Sequence, residues 1–310
     1  MKKEADGMSD WLLRCTICPR RCGVNREAGE TGFCRAPARP VVARAALHFW
    51  EEPCISGTAG SGTVFFSHCN LKCLFCQNHR ISHGGFGREI DAEQLVRIFL
   101  NLQERGAHNI NLVSPTPYIP VLARAIKTAR RRGLTIPVVY NTNAYENVEA
   151  LSLLDGLVDI YLPDLKYCAE EPARRYSAAP GYFSAATAAV KEMYRQVGAP
   201  RLDENGLIRR GLIIRHLILP GQAADSMRVL QWIAAHLPRD VYISLMAQYF
   251  PAHRADEAPP LNRCLTKSEY EQVVNRLLEL GLENGYVQEL EAASEEYVPD
   301  FNLEGIDSGS

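Results

Sequence analysis

Three cysteines stand close together in the run Gly62-Thr-Val-Phe-Phe-Ser-His-Cys69-Asn-Leu-Lys-Cys73-Leu-Phe-Cys76-Gln-Asn, with the spacing C-x3-C-x2-C. Thiolates are soft ligands that suit iron–sulfur clusters and zinc. Three of them can hold three irons of a cubane and leave the fourth iron open for chemistry, as a catalytic zinc keeps one position free. Ser67, Asn70 and backbone N–H groups of the loop are candidates to donate hydrogen bonds to sulfur and tune its potential. The competing reading is a zinc site completed by His68 or His79. The iron–sulfur reading is preferred, because the triplet directly follows the first predicted strand of an α/β pattern.

A second group, Cys15-x2-Cys18-x3-Cys22-x11-Cys34, supplies four thiolates, enough to saturate a metal. A closed site of that kind usually holds structure rather than doing chemistry. Zinc and a second [4Fe–4S] cluster fit the spacing equally, and a disulfide is the third choice. Arg14, Arg20, Arg21 and Arg35 crowd this group, and their charge is expected to lower the thiol pKa values. Seven of the ten cysteines fall in these two clusters. In a reducing compartment, clustered cysteines ligate metal or do redox work. Cys54, Cys168 and Cys264 read as ordinary small apolar residues.

The elements that must carry these groups alternate between strand and helix from about residue 63 onward. Strand candidates are Thr63–Phe66, Asn109–Val113, Val138–Tyr140, Asp159–Leu162, Leu212–His216 and Val241–Leu245. Between them, Leu95, Ile98, Phe99 and Leu102 recur at helical spacing, with Asp91 and Gln94 as a start and Gly106 as a stop. Near the end, Thr266 and Glu269 form a capping-box pattern ahead of a face of Val273, Val274, Leu277 and Leu278, and Gly281 ends it. Six strand–helix units imply a mostly parallel sheet with the strand C-terminal ends on one rim. A complete barrel of eight units needs roughly 250 residues, so an open, partial (β/α)6 barrel is expected. The division is an N-terminal cysteine-rich metal-binding segment and lead-in over 1–60, the barrel over 61–290 and a C-terminal tail over 291–310, disordered from Gly305. The connection from Tyr167 to Gly211 is long and carries an Asn205-Gly206 hairpin signal. It reads either as a cover over the active rim or as a surface helix with a short hairpin.

Charge is almost balanced, with 34 basic and 36 acidic residues. That gives no reason to expect a nucleic-acid or membrane surface. The N-terminal residues have no apolar core of a signal peptide, and no run is long enough to span a bilayer. A cytoplasmic protein is the expectation.

The cysteine triplet, with Phe75 before its last member, resembles the signature of the radical S-adenosylmethionine (SAM) superfamily. Further stretches are similar to its PflX-like branch, relatives of pyruvate formate-lyase-activating enzyme. They are Cys15-Thr-Ile-Cys-Pro-Arg-Arg-Cys-Gly-Val-Asn, Glu51-Glu-Pro-Cys-Ile-Ser-Gly, Gly62-Thr-Val-Phe-Phe-Ser, Tyr161-Leu-Pro-Asp-Leu-Lys, Arg215-His-Leu-Ile-Leu-Pro-Gly and Leu245-Met-Ala-Gln-Tyr-Phe-Pro. The resemblance implies a radical SAM barrel whose [4Fe–4S] cluster, held by Cys69, Cys73 and Cys76, carries SAM on its open iron. It also implies an electron donor such as flavodoxin or ferredoxin, and reductive cleavage of SAM to a hydrogen-abstracting 5′-deoxyadenosyl radical. Phe75 would pack near the adenine.

Strand ends supply the remaining candidates. Ser114-Pro-Thr-Pro117 stands where many members carry Gly-Gly-Glu, so Ser114 and Thr116 are candidates for SAM's amino group. Asn141 replaces the acid of an Asp-Thr-Asn in the activating enzyme and retains hydrogen bonding to ribose without the charge that favours a cation. Asp164 and Lys166 point to the same side of an extended segment, with Lys166 a partner for SAM's carboxylate and Asp164 its orienter. Arg215, a charge in an apolar strand, needs a partner: SAM, substrate or, structurally, Asp164. His216 should face the other way and pack. Gln248 is placed to reach ribose or substrate. Three functions compete: hydrogen abstraction from a small molecule or peptide side chain, glycyl radical activation of a partner enzyme, and a non-catalytic iron–sulfur or zinc protein. The long connection and the changed strand ends favour the first.

Overall fold

The computed structural model describes residues 10–290 and 299–306. The N-terminal residues read for a signal peptide, and positions 307–310 of the tail, lie outside the described residues. Strands β1 (Val41–His48), β2 (Ser61–Phe66), β3 (Arg88–Glu89), β4 (Ile110–Val113), β5 (Val138–Thr142), β6 (Ile160–Pro163), β7 (Arg201–Leu202), β8 (Ile208–Leu217), β9 (Tyr242–Met246) and β10 (Gly285–Val287) make one sheet. Its order is β10-β9-β8-β6-β5-β4-β2-β1-β3, with β7 attached to β8. From β2 through β9 the neighbours on this path are parallel, and these are the six strands expected from the sequence. A parallel β10 extends one edge, while β1 and β3 extend the other in antiparallel fashion. The curved sheet stays open, as a partial α/β barrel.

Helices close the outer face. In α1 (Pro53–Ser56) and α2 (His79–Ser82) the turns are short; α3 (Ala92–Glu104), α4 (Ile119–Arg131), α5 (Val148–Leu151), α6 (Glu170–Ser177), α7 (Tyr182–Val197), α8 (Ala223–His236) and α9 (Lys267–Glu279) follow. Both capping boxes form: Asp91 and Gln94 exchange bonds of 2.8 and 2.9 Å at the start of α3, and Thr266 and Glu269 exchange bonds of 2.9 and 3.3 Å before α9. Each strand alternates. Val138, Tyr140, Tyr161, Leu212 and Ile214 pack outward against helices in the main core. Val139, Ile160, Leu162 and Ile213 point into the lumen, where Cys54, Ile55 and Ile208 join them. The lead-in between β1 and β2 thus plugs the strand N-terminal end of the barrel, and Ile55 O accepts the amide of Asn109 at 2.8 Å.

The Tyr167–Gly211 connection does not line the chamber; its first part packs behind the cysteine loop. It forms α6, the crossover helix α7 and a hairpin of β7 and β8 whose turn runs through Asn205-Gly206. The end of α6 backs the cysteine loop, with Ser177 O and Tyr176 O accepting the amides of Lys72 and Leu74 at 3.0 and 2.8 Å. The described part of the tail is ordered, and of the stretch expected to be disordered this includes Gly305 and Ile306. Ala45 N donates to Glu304 O at 2.8 Å and Leu303 N to Ala43 O at 3.1 Å, so 299–306 bonds along β1. Gly305, with φ of 75°, has Ala45 O where a Cβ would stand, and Ile306 is buried. Among the described residues no helix is long and apolar enough to cross a membrane.

Truncating the plug leaves a void beneath the lumen side chains of β5, β6 and β8. Ile55→Ala should lower unfolding free energy by about 2–5 kcal/mol, read from denaturant unfolding of the whole chain; a loss under 1 kcal/mol would mean that the plug does not close the lumen.

Candidate functional site

A cavity of about 250 Å³ occupies the strand C-terminal half of the lumen. Cys69, Cys73 and Cys76 line it together with Phe75, Ser114, Asn141, Asp164, Lys166, Arg215 and Gln248. Thus strand ends far apart in the chain face one chamber. Thr116 is the exception among the candidates. Its hydroxyl turns outward and donates to Glu146 Oε1 at 2.6 Å, and it does not line the cavity. No residue of 168–211 lines it either, so of the two readings of that connection the cover over the rim is not found.

The cysteine loop leaves β2 through His68, which takes a left-handed φ of 71°. Its sulfurs are met by donors from separate elements. Asn143 Nδ2 and Leu71 N reach Cys69 Sγ at 3.3 and 3.4 Å. Ser177 Oγ donates to Cys73 Sγ at 3.0 Å, and Ser82 Oγ lies 3.1 Å from Cys76 Sγ. Ser67 and Asn70 do not serve this purpose. Ser67 donates to Phe86 O, and the Asn70 amide is held by Tyr145 O at 2.6 Å. His68 and His79 are also turned away from a zinc role: His68 lies against Gly85, and His79 stacks on His253 at 4.5 Å. Burial pushes the Cys69 and Cys73 thiols up to about 11, and Cys76 upward as well. Such groups release their protons when a cation compensates the thiolate. Three thiols that line one cavity, each met by donors from neighbouring elements, are the donor set that a [4Fe–4S] cluster would take.

Beneath the sulfurs lies a layer of charge. Asp164 takes Lys166 Nζ at 2.7 Å and Arg215 Nε at 2.7 Å. Arg215 also reaches Glu51 at 3.1 Å and Asn141 Oδ1 at 2.6 Å. Asp164 is therefore a partner of Arg215, as the structural reading anticipated. Burial alone would raise the Asp164 carboxyl, but Arg215 and Lys166 hold it below its ordinary value. Burial likewise opposes the Lys166 charge, and Asp164 reverses the effect. Tyr182 OH ties the layer together, 2.9 Å from Asn143 O and 2.7 Å from Asp164 O, while accepting Lys166 N at 3.0 Å. His216 faces away, with Nδ1 2.6 Å from Leu165 O. Gln248 is bridged by Gln288 at 3.0 Å.

Glu51, Asn143, Ser82 and Ser177 are site residues that sequence reasoning did not single out. Glu51 had a signal, a paired acid ahead of a proline; Asn143 closes the Tyr140-Asn-Thr-Asn143 run. Ser177 sits on a surface-like helix and had none.

The N-terminal cysteines dock onto the back of the same loop. Arg20 stacks on Phe33 at 3.6 Å and donates Nε to Asn70 O at 3.1 Å, while Asn147 Nδ2 holds Thr16 O at 2.9 Å. Arg20 and Arg21 are thus used for docking. At Cys18 and Cys34 burial outweighs the expected lowering by the arginines, pushing Cys18 up to about 12 and raising Cys34 too. All ten cysteines are free, with Cys54 buried and Cys264 exposed. Among the described residues no three His, Cys, Asp or Glu side chains converge on a single-ion position, at the quartet or at the triplet.

The family model of the radical SAM superfamily matches residues 63–233. An uncharacterized protein of Methanocaldococcus jannaschii is 34% identical over 268 residues, covering 84% of this chain and 73% of that one. A second uncharacterized protein of the same organism is 26% identical over 182 residues, about half of each chain. Methylornithine synthase shares the fold at a TM-score of 0.51 and 15% identity, over 79% of this chain and 65% of that chain. A domain of pyruvate-formate lyase-activating enzyme from Bacteroides vulgatus aligns at a TM-score of 0.40 and 16% identity, over 56% of this chain and 94% of the domain. The chain belongs to the radical SAM superfamily, whose members are generally enzymes. Membership implies a [4Fe–4S] cluster and SAM.

Arg215→Met leaves Asp164 and Glu51 short of a buried cation. It should cost about 3–5 kcal/mol at neutral pH. The Asp164 part of that gap is complete above the ordinary value of 3.8 and fades as pH falls through the lower folded-state value. Unfolding curves of both proteins across acid pH check this; a gap that widens in acid would contradict the pairing.

Proposed function

We propose that this protein reductively cleaves SAM at a [4Fe–4S] cluster held by Cys69, Cys73 and Cys76. The resulting 5′-deoxyadenosyl radical abstracts hydrogen from a small-molecule or peptide substrate. The observation that carries the reading is the single chamber in which three thiols face polar groups from the other strand ends. A cluster held by Cys69, Cys73 and Cys76 would, once reduced by the donor, supply the one electron that cleaves bound SAM. The chain's own residues bind and orient. Lys166, held forward by Asp164, takes SAM's carboxylate; Ser114 takes the amino group; Asn141 and Gln248 take ribose or substrate; and Phe75, 5.8 Å from Tyr249, walls the adenine. A one-electron donor of the flavodoxin or ferredoxin type completes the cycle. Cys15, Cys18, Cys22 and Cys34 would be the ligands of a second metal, zinc or a second cluster.

Glycyl radical activation is the second reading. One observation favours it: the long connection leaves the mouth of the chamber clear. Replacing the glycine α-hydrogen of a candidate partner with deuterium separates the two. Label in 5′-deoxyadenosine with a glycyl doublet in the EPR spectrum establishes the activase. Label found only from a non-glycyl substrate establishes the first.

Three outcomes test the whole. Anaerobically reconstituted protein should form 5′-deoxyadenosine under dithionite, and the Cys69, Cys73 and Cys76 triple alanine variant should form none while keeping its circular dichroism; turnover by that variant would refute the reading and leave a non-catalytic role. Lys166→Met should bind SAM more weakly by about 1.5–3 kcal/mol, roughly 10- to 150-fold, by titration calorimetry. Metal analysis should give about eight irons and no zinc if the quartet holds a cubane, or about four irons and one zinc if it holds zinc; four irons alone would remove the second site.

A further inference from the structure

Arg26 is a buried cation that lacks an anion. It is 2% exposed. Its Nη1 donates to Pro117 O at 2.6 Å, its Nη2 donates to Pro37 O, and its Nε has no hydrogen-bond partner. Among the described residues no carboxylate pairs with it. A charge taken out of water without a counter-charge is costly, and two backbone carbonyls offset only part of that cost.

The group beside Arg26 is the N-terminal quartet. Cys15 N donates to Val24 O at 2.9 Å and Arg26 N to Leu12 O at 2.8 Å, so Arg26 follows directly on the backbone pairing that carries Cys15. Pro37, which takes Nη2, stands three residues past Cys34. Cys34 is within electrostatic reach of Arg26 and of the other three cysteines. Gly32 leaves Cys22 its room, since a Cβ there would stand 2.8 Å from the sulfur. The four thiols thus form one group with Arg26 at its edge.

Charge decides what this group must hold. As free thiols, kept protonated by burial at Cys18 and Cys34, it offers Arg26 no anion. Disulfides would be equally neutral. Four thiolates on zinc, or on a [4Fe–4S] core in its doubly positive state, outnumber the charge of the metal, and the unit is an anion. Resting on the second-metal reading above, we propose that Arg26 is the counter-cation of an anionic metal–tetrathiolate unit at Cys15, Cys18, Cys22 and Cys34. The other arginines nearby do not take this part. Arg14, Arg21 and Arg35 are exposed, where water screens their charge, and Arg20 is spent on Asn70 O and Ala178 O. Arg26 also reaches the barrel. Pro117 lies in the turn after Ser114, and the Tyr118 ring, 5.7 Å from the guanidinium, carries a hydroxyl that donates to Ser67 O at 3.1 Å. The quartet is thereby joined to the end of β4 and to the start of the cysteine loop.

The test uses the full chain with Cys69, Cys73 and Cys76 replaced by Ala, so that metal is read at the quartet alone. It is loaded anaerobically with zinc or with iron and sulfide, and retention is measured by competition with a chelator. Arg26→Met, or Arg26→Gln should it not fold, should weaken retention of the metal taken up by about 10- to 100-fold. Arg26→Lys keeps the charge without the fork and should restore most of it. If iron is bound, the cluster's reduction potential should fall in the neutral variant and recover with Lys, because a nearby cation favours the reduced, more negative state. Equal losses in the neutral and Lys variants would assign the effect to the carbonyl bonds and overturn the counter-cation. Wild-type retention in the neutral variant would overturn it too, while the second-metal reading stood. A quartet that retains neither zinc nor iron overturns both. Should the alanine background not fold, the same substitutions are made in the otherwise wild-type chain; loss of the zinc, or of about half the iron, in the neutral variant but not in Arg26→Lys supports the counter-cation, and no difference overturns it.

Discussion

The buried ion layer of Glu51, Asp164, Lys166 and Arg215 is the constraint around which the rest of the molecule is arranged. Charges of this kind persist inside a protein only when geometry and hydrogen bonds satisfy nearly all of their atoms. Here that demand ties together the lead-in before β2 and the C-terminal ends of β5, β6 and β8. An apolar layer of Val139, Ile160 and Ile213 seals the lumen below it, and the chamber opens above. The plug, the strand register and the floor of the chamber therefore depend on one another. A shift of any strand by one residue would turn its lumen side chains outward and leave these charges without partners.

The cysteine loop is held by a different device. It borrows rigidity from what surrounds it: the end of α6 behind, the Asn143–Asn147 turn beside it and the N-terminal segment clamped on by Arg20. Donors to sulfur come from these neighbours as well as from the loop. Such contacts stabilise the thiolate form and set the electronic character of whatever the sulfurs bind. Because Arg20 spans from the quartet segment to Asn70 O, the two cysteine groups are mechanically joined as well as close in the fold. The raised thiols of both groups have a common cause in burial.

Much of this was legible in the chain. The six parallel strands, both capping boxes, the Asn205-Gly206 turn and the cysteine spacing all depend on local patterns of period, cap and ligand type. The placing of Asp164, Lys166 and Arg215 on one rim followed from topology, since right-handed crossovers bring strand ends together. Antiparallel β1 and β3 were missed. They are edge pieces whose pairing is decided by contacts with β2 and with each other, and neither has a clean period of its own.

What only the tertiary structure decided is the direction in which polar side chains point once elements pack. Thr116 is two residues from Ser114, yet it turns to Glu146 while Ser114 lines the chamber, because Ser114 takes a left-handed φ of 57° and breaks the alternation. The Tyr167–Gly211 connection was long enough to cover the rim, but Ser177 and Tyr176 bond to the cysteine loop and hold its first part behind that loop. The described tail follows β1 because backbone partners there were waiting for it. Glu51 reached the floor through a lead-in whose path depends on a lumen that exists only after the barrel has formed. Local order is set by neighbours in sequence, and so the motifs and elements could be read. A buried polar group is placed by partners up to 164 residues away, and those distances are closed only by folding.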